Sequence, residues 1–273
     1  MRGRVIGNIS NLYKVKTDKE VYLCCARGKL KQENNKLLVG DIVEIDQEQK
    51  IIDKIYPRKN ELIRPPISNV DQAIIVVSVM KPKLDLYLLD RLISIISYHD
   101  VEIIICFTKL DLLENKSDIK EIMDYYQKIG YSVTNNNDID KLKELLKNKV
   151  TVVAGQSGVG KSSLLNKLNP EFNLITDEIS RSLRRGKNTT KHVELLEIES
   201  GLVADTPGFS MASLEQMSKE QIRDSFKEFE LYKDDCQYRD CFHINETNCG
   251  VKQASILKSR YENYCKFIQE KDE

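Results

Sequence analysis

A glycine-rich octapeptide carries the clearest chemical signal in this sequence of 273 residues. It runs Gly155-Gln-Ser-Gly-Val-Gly-Lys-Ser162 and fits the phosphate-loop pattern of Gly, four residues, Gly-Lys and then Ser or Thr. Glycines let backbone N–H groups converge on phosphate oxygens, and the start of the helix that follows adds the positive end of its dipole. Lys161 would reach the β- and γ-phosphates of a nucleotide, and the Ser162 hydroxyl would bind Mg²⁺. The predicted nucleotide contacts in this segment are Gly155, Gln156, Ser157, Gly158, Val159, Gly160, Lys161, Ser162 and Ser163.

A second motif, Asp205-Thr-Pro-Gly208, follows a predicted strand at residues 202–204. In phosphate-loop proteins an Asp at a strand end helps to hold Mg²⁺. A glycine just beyond it allows a backbone N–H group to approach the γ-phosphate. Asp205 is therefore predicted to join Ser162 at the metal ion, and Gly208 is predicted to contact the nucleotide.

A third motif, Thr108-Lys109-Leu110-Asp111, follows a predicted buried strand at residues 101–107. It matches the guanine-reading motif Asn-Lys-x-Asp, with Thr in the place of Asn. The Asp111 carboxylate could accept two hydrogen bonds from N1 and N2 of guanine, whereas adenine lacks that donor pair and would leave the carboxylate unpaired. The stem of Lys109 would pack over the base. The alternative is that Asp111 only caps a helix.

Four potential metal ligands occur close together as Cys236-x4-Cys241-x-His243-x5-Cys249. Three thiolates and one imidazole can close a tetrahedral Zn²⁺ site. Because no coordination position would stay open, the pattern predicts a structural rather than a catalytic zinc ion. The alternative is a set of reduced structural cysteines with a surface histidine.

The composition sets the broad class of protein. The chain is 41% hydrophobic and 31% charged, which is typical of a globular protein and excludes a disordered or collagen-like chain. Its 42 Lys and Arg balance 42 Asp and Glu, so a nucleic-acid partner would need a local basic patch. The longest apolar run, residues 73–80, is far shorter than the roughly 20 residues of a membrane helix. The N-terminus lacks a signal-peptide pattern, so we expect a cytoplasmic protein with reduced thiols and no membrane partner.

The elements that must position these motifs fall into three stretches. Residues 1–65 hold short β-branched runs that predict a small barrel, and they contain 14 Lys and Arg against 9 Asp and Glu. Residues 66–212 alternate buried strands with helices, which predicts a doubly wound α/β sheet. Residues 213–273 are predicted to be helical and polar. The predicted barrel strands are 4–9, 20–26, 42–45 and 50–55, the central strands are 73–79, 101–107, 131–133, 150–154, 193–198 and 202–204, and the central helices are 88–96, 118–129 and 140–149.

The order of the motifs is unusual, because the guanine-reading motif precedes the phosphate loop, whereas most GTPases have it last. With TKLD, GQSGVGKSSLLN, GKNTTKHVEL, DTPGF and the Cys/His pattern in this order, nearly the whole chain resembles the circularly permuted GTPases of the RsgA (YjeQ/YloQ) family. The resemblance implies an oligonucleotide-binding (OB) β-barrel, a circularly permuted α/β phosphate-loop GTPase and a C-terminal helical zinc-binding domain.

The same resemblance implies a function. It implies a GTPase that acts in late maturation of the small ribosomal subunit, is stimulated by that subunit and contacts rRNA. The implied cofactors are GTP and GDP, Mg²⁺ and one structural Zn²⁺. Nothing in the sequence demands more than a monomer.

A basic segment at residues 181–192 resembles the first switch of the family. The resemblance places Thr190 on Mg²⁺ and the γ-phosphate, with Thr189 as the alternative. The family often has His where this chain has Asn188. The residue after the Asp205–Gly208 motif is Phe209, whereas Ras-like proteins have a water-positioning Gln close to this place. His192 is the candidate catalytic group or else only a strand-entry residue, and slow intrinsic hydrolysis is predicted.

One further departure concerns the second base-contact loop of the family. This loop usually contains Ser-Ala, and here Thr134-Asn135-Asn136 stands in its place.

Two other functions fit parts of the sequence. A phosphate-loop kinase or ATPase acting on a small molecule would prefer ATP and would need no guanine-reading motif. A nucleic-acid-binding module with a purely structural nucleotide would bind RNA equally with GDP and GTP.

Overall fold

The computed structural model describes residues 1–28, 36–63, 65–115, 117–172, 193–204 and 213–271. The chain divides into two compact units. The first unit comprises Met1–Ile74, Asn137–Ala154 and Gly160–Phe209, and the second comprises Ile75–Asn136, Gly155–Val159 and Ser210–Glu273.

Strands dominate the N-terminal region and helices the C-terminal region. The strands are β1 Arg2–Ile9, β2 Leu12–Lys16, β3 Val21–Ala26, β4 Ile42–Asp46, β5 Ile51–Ile55, β6 Glu61–Leu62, β7 Ile67–Ser68, β8 Gln72–Ser78, β9 Glu102–Thr108, β10 Ser132–Asn135, β11 Val150–Ala154, β12 Leu195–Ile198 and β13 Gly201–Ala204. The α-helices are α1 Leu86–Ser97, α2 Ser117–Lys128, α3 Ile139–Leu146, α4 Lys161–Leu168, α5 Lys219–Asp224, α6 Gly250–Gln253 and α7 Lys258–Gln269. Short 3₁₀ segments are Leu110–Leu112, Pro170–Phe172, Leu214–Gln216, Lys227–Leu231 and Lys233–Asp235.

The predicted N-terminal barrel is confirmed. Five strands close in the order β1-β2-β3-β5-β4, and alternate residues such as Val5, Val15 and Cys24 point into a common core. The prediction missed β2, since only Val15 of that strand is fully buried. A tight hairpin turn at Ser10, which has a φ of 56°, links β1 to β2 and keeps Ile9 opposite Leu12.

The predicted central α/β sheet is confirmed, with an antiparallel strand at one edge. The strand order is β10-β9-β8-β11-β13-β12. Strands β9 and β10 pair in parallel, as do β11 and β13, whereas β12 runs antiparallel to β13. Every residue of β8 and of β11 is buried, as expected for strands covered on both faces. Helix α3 ends three residues earlier than predicted, because Lys147 adopts an extended ψ of 128° and directs the chain toward β11.

Aromatic side chains build the core of the C-terminal region. Phe226, Phe229, Tyr264 and Phe267 pack together, with ring centroids 4.8 to 6.2 Å apart in four pairs, and Ile95 of α1 joins the same cluster. The predicted helical C-terminal domain is thus made of short helices and 3₁₀ turns that α7 holds together.

A buried charge cluster secures α7 within the second unit. The Arg260 guanidinium donates to Asp90 Oδ1 at 2.6 Å and to Glu228, and all three side chains are at most 1% exposed. Tyr126 and Asn263 donate to the two oxygens of Asp90 at 2.6 and 2.7 Å. Burial alone would lower the pKa of Arg260, but Asp90 and Glu228 raise it well above its ordinary value. The Arg260 guanidinium is therefore charged, and a buried charge of this kind is tolerated because it is paired and hydrogen-bonded.

None of the helices in the part of the chain that the structure describes combines the length and apolarity that a membrane span needs.

Candidate nucleotide and metal sites

The phosphate loop follows β11 and leads into α4, as predicted. Gly155, Gly158 and Gly160 have φ values of 137°, 80° and 99°, a region in which side chains are strained. A Cβ atom on Gly155 would also lie 2.3 Å from the carbonyl oxygen of Val76. Backbone conformation and packing therefore both require glycine where this segment begins.

Two side chains of the guanine-reading motif contact the phosphate loop within the second unit. The Thr108 hydroxyl is buried and donates to the Val159 carbonyl oxygen at 2.6 Å. The Lys109 ammonium donates to the Gly158 carbonyl oxygen at 2.8 Å and also to the carbonyl of Lys81. Thr108 thus supplies a hydroxyl donor at the place where related motifs have Asn, and the two motifs lie against each other.

Asp111 lies just beyond this contact. Lys109 adopts a left-handed conformation with a φ of 60°, and the 3₁₀ turn Leu110–Leu112 follows it. No side chain caps this turn, so the structure does not support the helix-cap alternative. The Asp111 side chain is exposed, and no hydrogen bond joins its carboxylate to another residue that the structure describes. A carboxylate in this setting is available to a ligand.

The segment Thr134-Asn135-Asn136 lies beside the guanine-reading motif. Asn135 is opposite Phe107 in the parallel pair of β9 and β10, and the Asn136 N–H donates to the Phe107 carbonyl oxygen at 3.0 Å. The Thr134 hydroxyl is buried and has no hydrogen-bond partner in the described structure. This segment therefore adjoins the end of β9, from which the guanine-reading motif continues, and its residue types differ from Ser-Ala.

The predicted metal-binding residues are only partly described. Ser162 is 8% exposed in the first turn of α4, while Lys161 is half-buried and Ser163 is exposed. Six residues of the predicted nucleotide, switch and catalytic sets lie outside the described residues: Asn188, Thr189, Thr190, His192, Asp205 and Gly208.

The structure describes strand β13, which ends at Ala204 just before Asp205. Ala204, which precedes Asp205, pairs with Val152 of β11 and is opposite Leu195 of β12.

The four predicted zinc ligands lie together in the second unit. Their ligand atoms are all within 4.8 Å of one another. Cys236 Sγ is 3.9 Å from Cys249 Sγ, and His243 Nδ1 is 3.6 Å from Cys236 Sγ and 3.3 Å from Cys249 Sγ. In a tetrahedral zinc site with the usual bond lengths, two sulfur ligands are about 3.8 Å apart and a nitrogen and a sulfur ligand are about 3.6 Å apart. These four residues therefore fit a Zn²⁺ ion.

The electrostatics of this cluster also suit a metal ion. Burial lowers the pKa of His243 and so favours the neutral imidazole that a metal needs. Burial raises the pKa of Cys241 to about 12 and raises that of Cys249, because a buried thiolate without a cation is costly. A divalent cation reverses this cost by stabilising the thiolates directly.

Hydrogen bonds hold the loop that carries His243. The Glu246 carboxylate accepts from the Phe242 and Ile244 N–H groups at 2.7 and 2.9 Å, and the Tyr261 hydroxyl donates to the His243 carbonyl at 2.6 Å. Burial raises the pKa of Glu246, but hydrogen bonds from the backbone outweigh this effect and lower it. Sequence reasoning missed this support, because no spacing rule pairs a carboxylate with amides of its own loop.

Replacing Asp111 tests the guanine-reading assignment. Asp111→Asn loses two charge-assisted acceptor bonds, so we expect the affinity for GDP to fall by about 100-fold or more. The Asn amide can donate to the C2 oxygen of xanthine, so xanthosine diphosphate should then bind better than GDP. Competition against a fluorescent nucleotide measures the affinities for GDP and for xanthosine diphosphate. The matched control is Asp124→Asn, on the exposed face of α2. Unchanged GDP affinity in Asp111→Asn would contradict the assignment.

Metal analysis tests the zinc site. We expect about one Zn²⁺ per chain, and Cys249→Ser should weaken zinc binding by about 100-fold or more, since it removes one of four ligands. Acidification should release the ion, because protons compete for the thiolates. Competition with a chromogenic chelator gives the affinity, and Cys265→Ser is the control. Equal zinc retention by both variants would show that these residues do not bind the metal.

Comparisons with known proteins agree with this geometry. Residues 2–51 match the family described as RsgA N-terminal domain, and residues 55–215 match RsgA GTPase. The proteins named small ribosomal subunit biogenesis GTPase RsgA from Alkaliphilus metalliredigens and RsgA 2 from Oceanobacillus iheyensis are 43% and 44% identical to this chain. Each match covers 98% of this chain, with 97% and 96% of the respective relative.

Two solved structures resemble the whole chain. YloQ, described as a circularly permuted GTPase, is 34% identical with a TM-score of 0.85 and covers 99% of this chain and 94% of its own. YjeQ from Thermotoga maritima is 36% identical with a TM-score of 0.87, and the match covers 99% of this chain and 98% of YjeQ. With two adjoining domain matches and relatives above 40% identity along nearly their full length, this chain belongs to the RsgA family of circularly permuted GTPases.

Proposed function

We propose that this chain binds GTP and GDP and hydrolyses GTP to GDP and phosphate during late maturation of the small ribosomal subunit in the cytoplasm. The observation that carries the proposal is the contact of Thr108 and Lys109 with the phosphate loop. A phosphate loop by itself accepts many nucleotides, whereas one joined to a motif that also carries a guanine-reading carboxylate would select GTP. Relatives named small ribosomal subunit biogenesis GTPase support the biological setting.

The phosphates would be held at the start of α4. Backbone N–H groups of residues 155–160 and the α4 dipole attract the phosphate oxygens, and Lys161 adds a full positive charge. Ser162, Thr190 and Asp205 are the residues that would hold Mg²⁺, which supplies neutralisation of the charge that develops on the β- and γ-oxygens. Gly208 would donate its N–H to the γ-phosphate. Ser162 is 8% exposed in the first turn of α4, next to Lys161, which is where this role requires it.

The base would be read at the carboxyl ends of β9 and β10. Asp111 would accept from N1 and N2 of guanine, and the stem of Lys109 would cover the base while its ammonium binds the phosphate loop. The segment 134–136 would add a second contact. No observation favours a small-molecule kinase, since such an enzyme has no use for a guanine-reading carboxylate at this place.

Water activation is proposed to depend on the partner. The residue after Gly208 is Phe209, which cannot orient water, and His192 is the candidate catalytic group that the sequence offers. We therefore infer slow hydrolysis in the free protein and faster hydrolysis when the small ribosomal subunit completes the site. In other GTPases a catalytic group supplied by a partner accelerates hydrolysis by about 10³- to 10⁵-fold.

The flanking regions would bind the subunit. We propose a barrel domain at residues 1–65, a GTPase domain at 66–212 and a zinc domain at 213–273, with the protein acting as a monomer. The barrel region holds 14 Lys and Arg against 9 Asp and Glu, which favours contact with rRNA phosphates. The zinc ion would hold the C-terminal loops together for binding.

Affinity for the small ribosomal subunit in two nucleotide states tests this proposal. We expect binding at least about tenfold tighter with a non-hydrolysable GTP analogue than with GDP, because a nucleotide shifts binding only through a differential affinity. Sedimentation of purified subunits with labelled protein measures it, with large subunits as the control. Equal affinity in both states would contradict a GTP-controlled cycle.

A further inference from the structure

A buried carboxylate joins the barrel to the segment that leads into the central sheet, within the first unit. Asp41, just before β4, is fully buried, and the Arg58 guanidinium donates to its two oxygens at 2.7 and 2.8 Å. The Ser68 hydroxyl of β7 donates to the same carboxylate at 2.6 Å, and the Leu38 N–H donates to it at 2.8 Å. A bidentate pair of this kind fixes the orientation of both side chains as well as balancing their charges.

The backbone around Asp41 is packed closely on both sides. Gly40 has a φ of 96°, and a Cβ atom there would lie 2.0 Å from the Ser68 carbonyl oxygen. The Gly40 N–H donates to the Val5 carbonyl of β1 at 2.7 Å, and the Ser68 N–H donates to the Val39 carbonyl at 2.9 Å. The barrel therefore holds this backbone from one side, and β7 holds it from the other.

Further hydrogen bonds continue the connection from β7 to β11. Asn60 exchanges two hydrogen bonds of 2.9 Å with the backbone of Val70. The Asp71 N–H donates to the Val150 carbonyl at 2.8 Å, and the Val150 N–H donates to the Asp71 carboxylate at 2.6 Å. Val150 is the first residue of β11, and β11 leads into the phosphate loop. The barrel is thus tied to the strand that carries this loop.

A second contact between the barrel and the sheet is weaker. Gly7 of β1 forms an antiparallel bridge with Glu194, the residue before β12, and Lys14 Nζ lies 2.6 Å from Glu194 Oε1. The Lys14 and Glu194 side chains are 30 and 49% exposed, and exposed ion pairs contribute little. The buried Asp41 carboxylate would be left uncompensated without Arg58, which makes its pairing the more demanding of the two contacts.

We propose that Arg58 is a positioning residue for subunit-stimulated hydrolysis of GTP. By holding Asp41 it fixes the barrel relative to β11 and α4, which belong to the same compact unit. A small ribosomal subunit bound to the barrel would then meet the start of α4, where Lys161 is proposed to bind phosphate, at a set distance. This inference rests on the proposed function and deepens it, because it names the contact through which binding at the barrel acts on turnover.

Replacing Arg58 by lysine tests the proposal. Arg58→Lys keeps the positive charge, so a lost attraction to rRNA phosphates cannot explain the result, but lysine cannot bind both oxygens of Asp41 in the same way. With saturating small subunits, turnover of GTP should fall by about tenfold or more, because catalysis is sensitive to misplacement of about 1 Å. Turnover of the free protein and its GDP affinity should stay within about twofold of wild type, since no group proposed to touch the nucleotide is changed.

The matched control is Arg27→Lys, which makes the same substitution at an ion pair with Asp53 that lies within the barrel. Stimulated turnover of this variant should equal wild type. Ser68→Ala is a milder variant, because it removes one hydrogen bond to Asp41 and leaves Arg58 in place. It should lower stimulated turnover by about threefold and serves as the test if Arg58→Lys does not fold. Melting temperature is measured for every variant, and sedimentation gives the subunit concentration that saturates each one.

The outcomes separate the inference from the function on which it rests. Wild-type protein that does not hydrolyse GTP, or that small subunits do not stimulate, would overturn the proposed function. With stimulated wild type, a folded Arg58→Lys variant of unchanged stimulation would overturn the positioning role and leave the joint as a source of stability alone. Free and stimulated turnover that fall by the same factor, or a control that loses as much stimulation, would also overturn it.

Discussion

The hydrogen bonds from the guanine-reading motif to the phosphate loop are the constraint on which the proposed nucleotide site depends. Thr108 and Lys109 donate to successive carbonyls of the loop, so the motif proposed to select the base is hydrogen-bonded to the loop proposed to hold the phosphates. The loop in turn requires glycine at position 155, because the carbonyl of Val76 leaves no room for a side chain. The two motifs are more than 40 residues apart along the chain, and these contacts bring them together.

The C-terminal region depends on two buried polar clusters of different chemistry. The Arg260 cluster joins α7 to α1 by charge pairing in a site without water access. The Cys/His cluster joins a loop that follows short 3₁₀ segments to the start of α6, and a metal ion bound there would link these segments. Both clusters destabilise partly folded states of this region, because burying a carboxylate or thiolate without its partner is unfavourable. The zinc region is thereby predicted to fold as one piece with its metal.

Much of this architecture could be predicted from the sequence because short motifs encode local backbone geometry. The phosphate loop, the TKLD motif and the Cys/His spacing each specify a chemistry within a few residues, and the structure brings the described members of each together. The barrel and the α/β sheet could be predicted from alternating hydrophobic residues and from continuous apolar runs.

Other features could not be predicted. Strand β2 was missed because only Val15 of this strand is fully buried. The pairing of Arg260 with Asp90 and of Lys14 with Glu194 could not be predicted, since each joins residues more than 150 positions apart and depends on tertiary packing. The domain bounds and the roles of the individual nucleotide, metal and catalytic residues stay predictions.

The most direct test of a GTPase that depends on the small ribosomal subunit is phosphate release from GTP. It is measured with ATP as the alternative substrate, and with or without purified small ribosomal subunits. We expect slow release from GTP by the free protein, a strong increase with small subunits, no increase with large subunits, and little release from ATP in any condition. Release from GTP that ignores small subunits would contradict the proposed partner, and a preference for ATP would contradict the reading of guanine by Asp111.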